Sequence, residues 1–98
     1  MDGKWLVTVH TYMGDMRSHY EFKVNGNALE GKCTDASNGA VAPIVDGKYD
    51  NGSFSFQLTI KTAVGEMTNN LTGKYENDKL SGKSKNAMGE FDFDGVRE

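Results

Sequence analysis

Leu71-Thr72-Gly73 is a three-residue phrase, apolar residue, spacer, glycine, that returns at Leu29-Glu30-Gly31, Val45-Asp46-Gly47, Leu80-Ser81-Gly82 and Phe93-Asp94-Gly95. A further glycine, Gly3, opens Gly3-Lys4-Trp5, which holds the sole tryptophan. Glycine inside a strand leaves room for a close backbone or a sharp bend in the sheet. Its recurrence at matching strand positions predicts one rim at which a curled sheet is pinched shut.

Eight segments surround these phrases, alternating apolar and polar residues with period two and separated by turn residues. The first, Lys4–Tyr12, directs Trp5, Val7, Val9 and Thr11 to one face, and Gly14-Asp15 serves as its loop. The second, Met16–Asn25, directs Met16, Ser18, Tyr20, Phe22 and Val24 to the same face; the third adds Leu29, Gly31, Cys33 and Asp35. The fourth is read as Val41, Pro43, Val45, Gly47 and Tyr49 inward, and the fifth as Phe54, Phe56, Leu58 and Ile60. Met67, Asn69, Leu71, Gly73 and Tyr75 follow, then Leu80, Gly82, Ser84 and Asn86, then Gly89, Phe91, Phe93 and Gly95. Asn51-Gly52 is the strongest hairpin dipeptide, because both central residues of such a turn take positive φ.

Short loops fix register, and a slip of one residue would turn every apolar side chain to water. Each hairpin brings apolar partners together: Val24 with Leu29, Tyr49 with Phe54, Tyr75 with Leu80. The expected architecture is all-β, an eight-stranded antiparallel up-and-down β-barrel forming one domain over residues 1–98. An open two-sheet sandwich with bulges at the glycines is the alternative.

Composition narrows the function. The net charge of −3 comes with cations scattered among carboxylates, so nucleic acid is not an expected partner. Lys79, Lys83 and Lys85 read as a solvated strand face. No run reaches the roughly 18 apolar residues of a membrane helix, so no membrane partner is expected either. Cys33 is the single cysteine and can form no internal disulfide. Without a signal-peptide pattern near Met1, the expectation is a soluble cytoplasmic protein. No cofactor is implied. The outer face carries Leu6, Tyr12, Ala40, Ala42 and Ile44 as apolar exceptions, with Pro43 marking a weak seam; a monomer or a weak homodimer fits.

Gly3-Lys4-Trp5 at the start of the first strand resembles the Gly-x-Trp of the calycin group. Leu71-Thr72-Gly73-Lys74-Tyr75 and Leu29-Glu30-Gly31-Lys32 resemble the strand phrasing of avidin-type and lipocalin-like barrels within it. The resemblance implies a basic residue late in the last strand stacked on the tryptophan, which here is Arg97 on Trp5. It does not extend to biotin: the further tryptophans of those sites are absent, and Cys33 and Asp35 stand where a tyrosine and a serine are expected.

If glycines and Trp5 close one end, the opposite end is the mouth, where small barrels admit ligands. Thr11, Met16, Ser18, Tyr20, Cys33, Asp35, Met67, Asn69, Ser84, Asn86 and Phe91 are the candidate ligand-binding residues, with Pro43, Ile60, Met13 and Met88 near the same rim. Methionines there would adapt to apolar surfaces or fill gaps. Asp35, opposite Ser18, is the one carboxylate placed inward; it could anchor a ligand or shuttle a proton, or it could cap the Ser37-Asn38-Gly39 turn. Cys33, opposite Tyr20, reads as a buried thiol ahead of a nucleophile, since no histidine faces inward. His10 and His19, placed opposite each other across the first hairpin, are weak metal candidates with Glu21, and an exposed pair is the plainer reading. The leading function is therefore a small-molecule binding protein for a small, largely apolar ligand, without catalysis. A filled barrel acting as an interaction module is one alternative, and an isomerase or cyclase using Asp35 is another.

Overall fold

A computed structural model describes residues 1–12, 14–36, 39–62, 65–87 and 89–98, the side chains of residues 60–62 excepted. The expectations that fall on Met13, Met88, Ser37, Asn38, Ala63, Val64 and the Ile60 side chain lie outside the described residues. The strands are β1 (Gly3–Thr11), β2 (Gly14–Asn25), β3 (Ala28–Asp35), β4 (Val41–Asp50), β5 (Ser53–Thr62), β6 (Gly65–Glu76), β7 (Lys79–Asn86) and β8 (Gly89–Arg97). Each pairs antiparallel with its sequence neighbours, and β1 pairs with β8, closing the barrel. The up-and-down β-barrel read from the alternation is thus the observed fold.

Turn chemistry sets three of the hairpins. Asn51 and Gly52 take φ of 48° and 88°, and Asn77 and Asp78 take 53° and 58°, between the closing pairs Asp50↔Ser53 and Glu76↔Lys79. Both are two-residue turns whose twist matches that of the strands they join. Gly26-Asn27 closes Asn25↔Ala28 with the same loop length.

The first hairpin corrects the sequence reading. Thr11 pairs with Gly14 and His10 with Asp15, so Gly14-Asp15 is part of the ladder and not the loop. Gly14 instead begins β2 at φ 115°, and the Thr11 hydroxyl donates to the Gly14 carbonyl at 2.5 Å. The displacement is an even number of residues, so every inward side chain stays inward while its partner changes. Trp5 therefore faces Tyr20, and His10 faces Asp15 rather than His19.

The fourth strand holds the second correction. Ala42 and Ile44 pack against the core opposite Cys33 and Leu58, whereas Val41 and Val45 are 61% and 46% exposed and Pro43 is exposed. The ladder with β5 passes from Val45↔Gln57 to Lys48↔Ser55, which leaves one extra residue on β4. Asp46 sits in that bulge at φ 53°. An extra residue reverses the phase of the strand, so Gly47 and Tyr49 point inward as expected although the residues before them do not.

Below the bulge level the interior is solid. Trp5, Phe22, Phe54, Phe56, Leu80 and Phe93 are all buried. Phe22 and Phe56 centroids lie 5.6 Å apart, and Phe54 sits 6.2 Å from both Phe56 and Phe93, in offset and tilted contacts of the favoured kind. Glycines occupy the same level between the large rings: Gly31 faces Phe22, and Gly82 lies between Gly73 and Phe93. A Cβ at Gly31 would land on the Glu21 carbonyl oxygen, far inside the 3.0 Å that real Cβ atoms keep.

Trp5 seals this end. Its Nε1 donates to the Met1 carbonyl at 2.9 Å, Tyr75 meets it edge-on at 5.7 Å, and the Arg97 guanidinium lies 4.4 Å from the ring centroid. Arg97 also donates to the Asp2 carbonyl at 2.7 Å and to Asp78 at 3.3 Å. The cation over the indole is the one that the calycin resemblance implied, and it contributes roughly 0.5–2 kcal/mol.

Candidate functional site

At the opposite end the barrel is hollow. A cavity of about 440 Å³ opens between the tips of β1–β2, β3–β4, β5–β6 and β7–β8. Thr11, Met16, Ser18, Tyr20, Asp35, Met67, Asn69, Ser84, Asn86 and Phe91 all line it, as their parity and height in the strands predicted. Val9, Leu58 and Leu71 supply more apolar wall. Only the closed half of the barrel is filled by aromatics, which sets the structure apart from the completely filled alternative.

Polar groups occupy two patches on the inner wall. On β2 and β3, Ser18 pairs with Asp35 and Tyr20 with Cys33. On β6 and β7, the Asn86 side-chain Nδ2 donates to the Asn69 side-chain Oδ1 at 2.7 Å, beside Ser84. Asn69 and Ser84 are only 7% and 4% exposed. In a ring of eight strands these two pairs lie diametrically opposed, with Val9 and Phe91 on one side between them and Leu58 on the other.

Asp35 is held at the rim by its backbone. Its N–H donates to the Ala40 carbonyl at 2.8 Å and its carbonyl accepts from the Gly39 N–H at 2.9 Å, so the turn closes through the main chain. The carboxylate side chain lines the cavity.

Cys33 is the exception among the candidates. It is 5% exposed and is not among the lining side chains. Burial, reinforced by the Asp35 charge, pushes its thiol pKa up against hydrogen bonds to Tyr20 and Ser18 that lower it. A thiol so held stays protonated and makes a poor nucleophile. Burial likewise pushes the Tyr20 phenol well above its ordinary value, leaving it a neutral hydroxyl.

The proposed histidine pair does not exist. His10 Nδ1 lies 2.9 Å from Asp15 Oδ1 and its Nε2 lies 2.6 Å from Asp94 Oδ2, while His19 Nδ1 sits 2.5 Å from Glu98 Oε1. Glu21 lies 3.7 Å from the Lys32 ammonium, in a separate ion pair. The displaced hairpin loop is what parts the two imidazoles. Among the described residues no cluster of three histidine, cysteine or acidic side chains could hold a metal.

Tyr12, Gly14 and Asp15 also line the cavity, and sequence reasoning missed them. With the ladder running on to Thr11↔Gly14, Tyr12 lies at the turn rather than on the outer strand face, and its ring reaches Phe91 at 5.7 Å. The signal was Gly14 directly after a methionine, which fits a strand start as well as a loop.

His10 ties three strands together at this rim, and the tie depends on pH. Hydrogen bonds that its ring donates to the carboxylates of Asp94 first and Asp15 second raise its pKa above the ordinary value; Asp92, paired across from it and bound to Lys83, is a further charge facing it. A histidine pKa raised by folding contributes stability that is full below the unfolded value and is lost as pH climbs through the folded one. The stability difference between wild type and His10→Gln should therefore be largest below about pH 6.5 and shrink above it. Paired urea denaturations across pH measure this, and a difference that stays constant contradicts it.

No protein-family model and no curated protein sequence matches the chain. Among solved structures it is similar to a redesigned β-barrel, mFAP1, bound to DFHBI, with a TM-score of 0.65 and 15% identity. The alignment covers 99% of this chain and 94% of that one. The likeness is one of fold: a closed eight-stranded antiparallel barrel.

Proposed function

We propose that the barrel binds a small, largely apolar molecule in its open half. The cavity carries this reading, above all because buried Asn69 and Ser84 border it where leucine would pack. Asn69 is held by its hydrogen bond from Asn86, and a few such fixed polar groups in an apolar wall are what orients a ligand in small-molecule sites. About 440 Å³ falls toward the low end of the roughly 300–1,000 Å³ range of small-molecule pockets. The similar barrel mFAP1 was solved with DFHBI bound, which supports the same use of this fold.

N-phenyl-1-naphthylamine, a neutral dye that brightens in apolar surroundings, tests the reading. Its emission should rise on mixing with the protein. Ser84→Phe, which fills the deep wall, and Met67→Trp, which blocks the rim, should each remove most of the increase. Ser81→Phe on the exposed outer face should leave it intact. Equal brightening with all three variants would place the dye elsewhere and sink the proposal.

A further inference from the structure

Two hydrogen-bond donors on the deep wall of the cavity are uncommitted among the described residues. The bond from Asn86 ends on the Asn69 side-chain oxygen, which leaves Asn69 Nδ2 with both its hydrogens. Ser84 Oγ makes no side-chain hydrogen bond among the described residues either. Both side chains are more than nine-tenths buried. No fully buried polar side-chain atom among the described residues lacks a partner, so these two atoms face the cavity that their side chains line.

The ladder sets them side by side. Leu71 pairs with Ser84 and Asn70 with Lys85, so Asn69 and Ser84 are diagonal neighbours on the inward face of β6 and β7. Diagonal neighbours lie about 7–8 Å apart along the backbone, close enough for an amide and a hydroxyl to converge on one atom. The residues paired with them on the adjoining strands, Leu58, Leu71 and Phe91, are apolar. An amide nitrogen only donates, whereas a hydroxyl does either. A ligand bringing a donor would satisfy Ser84 and leave the Asn69 nitrogen unused. A carbonyl oxygen has two lone pairs and accepts from both. A carboxylate would accept as well, but neutral dipoles in an apolar frame do not repay the desolvation of a full charge.

We infer that the ligand is a neutral carbonyl compound, a ketone or lactone with an apolar body, whose oxygen accepts from Asn69 Nδ2 and Ser84 Oγ. This rests on the binding role proposed above and names its ligand class. Val9, Leu58, Leu71 and Phe91 cover the body of such a molecule. Each donor should tighten binding of the carbonyl by about fivefold, the worth of one hydrogen bond.

2-Acetylnaphthalene and 2-isopropenylnaphthalene make the test, since they differ only in an oxygen replaced by a methylene. Their affinities, read by displacement of N-phenyl-1-naphthylamine from the full chain, give a ketone-to-alkene ratio in which the shared apolar body cancels. The ratio should move against the ketone by about fivefold in Ser84→Ala and by a similar factor in Asn69→Leu, while Ser81→Ala on the outer face leaves it unchanged. Ser84→Ala should also unfold at no lower urea concentration than wild type, because no partner loses a bond; it carries the comparison should Asn69→Leu not fold. A ratio that stays constant in a folded variant of either site overturns the carbonyl assignment and leaves the binding role standing. So does a lower urea midpoint for Ser84→Ala, which would mean that its hydroxyl is already engaged, or failure of both compounds to displace a dye that brightens. A dye that does not brighten at all removes the binding role, and the assignment with it.

Discussion

Trp5→Ala lowers the unfolding free energy by about 3–5 kcal/mol. A domain of this length commands only about 5–15 kcal/mol, so the loss is a large share of the total. Trp5 is fully buried, and three separate attachments end on it: the Met1 carbonyl, the Tyr75 edge and the Arg97 guanidinium. Removing the indole opens a large void at the closed end, beneath Tyr75 and Arg97. It also leaves Arg97 above the void, without the ring that accepted its charge. Urea denaturation followed by circular dichroism measures the loss, and a cost near 1 kcal/mol would show that the closed end collapses around the gap.

Gly82→Ala carries the second large effect, about 3 kcal/mol or more, at the upper end of what overpacking costs. Its new Cβ would overlap the Thr72 carbonyl oxygen and approach the Gly73 Cα to 2.5 Å. Both obstacles are backbone of the paired strand β6, so relief requires β6 and β7 to separate. Gly26→Ala is the matched control: at φ 64° it is strained by about 1 kcal/mol, but a Cβ there meets nothing within 4 Å. Chemical denaturation of the two variants separates steric overlap from conformational strain. Equal losses would mean that the ring of glycines is not tightly closed.

The parts of this structure that were legible in the sequence share one property: they survive displacement by an even number of residues. Trp5, Val7, Tyr20 and Phe22 point inward whether the first loop is Gly14-Asp15 or lies two residues earlier, so the core and most of the cavity lining followed from alternation alone. Cross-strand partners have no such protection. His10 and His19 were placed together by a loop assignment two residues out, and the true partner, Asp15, was hidden by the same step.

The bulge at Asp46 was invisible for a different reason. Val41, Ala42, Ile44 and Val45 are apolar in either phase, so hydrophobicity offers no contrast from which to read the strand's orientation. Val45-Asp46-Gly47 also has the same form as Leu29-Glu30-Gly31, although only the first contains an extra residue relative to its neighbours. Arg97 over Trp5 came from the calycin resemblance and not from alternation. Whether the barrel was hollow depended on summed side-chain volumes, which strand parity does not report.

The filled lower half and the empty upper half also divide the work of the molecule. Folding draws mainly on Trp5, the phenylalanines and the glycines, while the binding role proposed above would draw on cavity-lining residues such as Ser18, Asn69 and Phe91. Lineages or libraries that vary the upper set can therefore explore new specificities without eroding the scaffold, and most of the chain's mutational freedom is concentrated where chemistry would be gained.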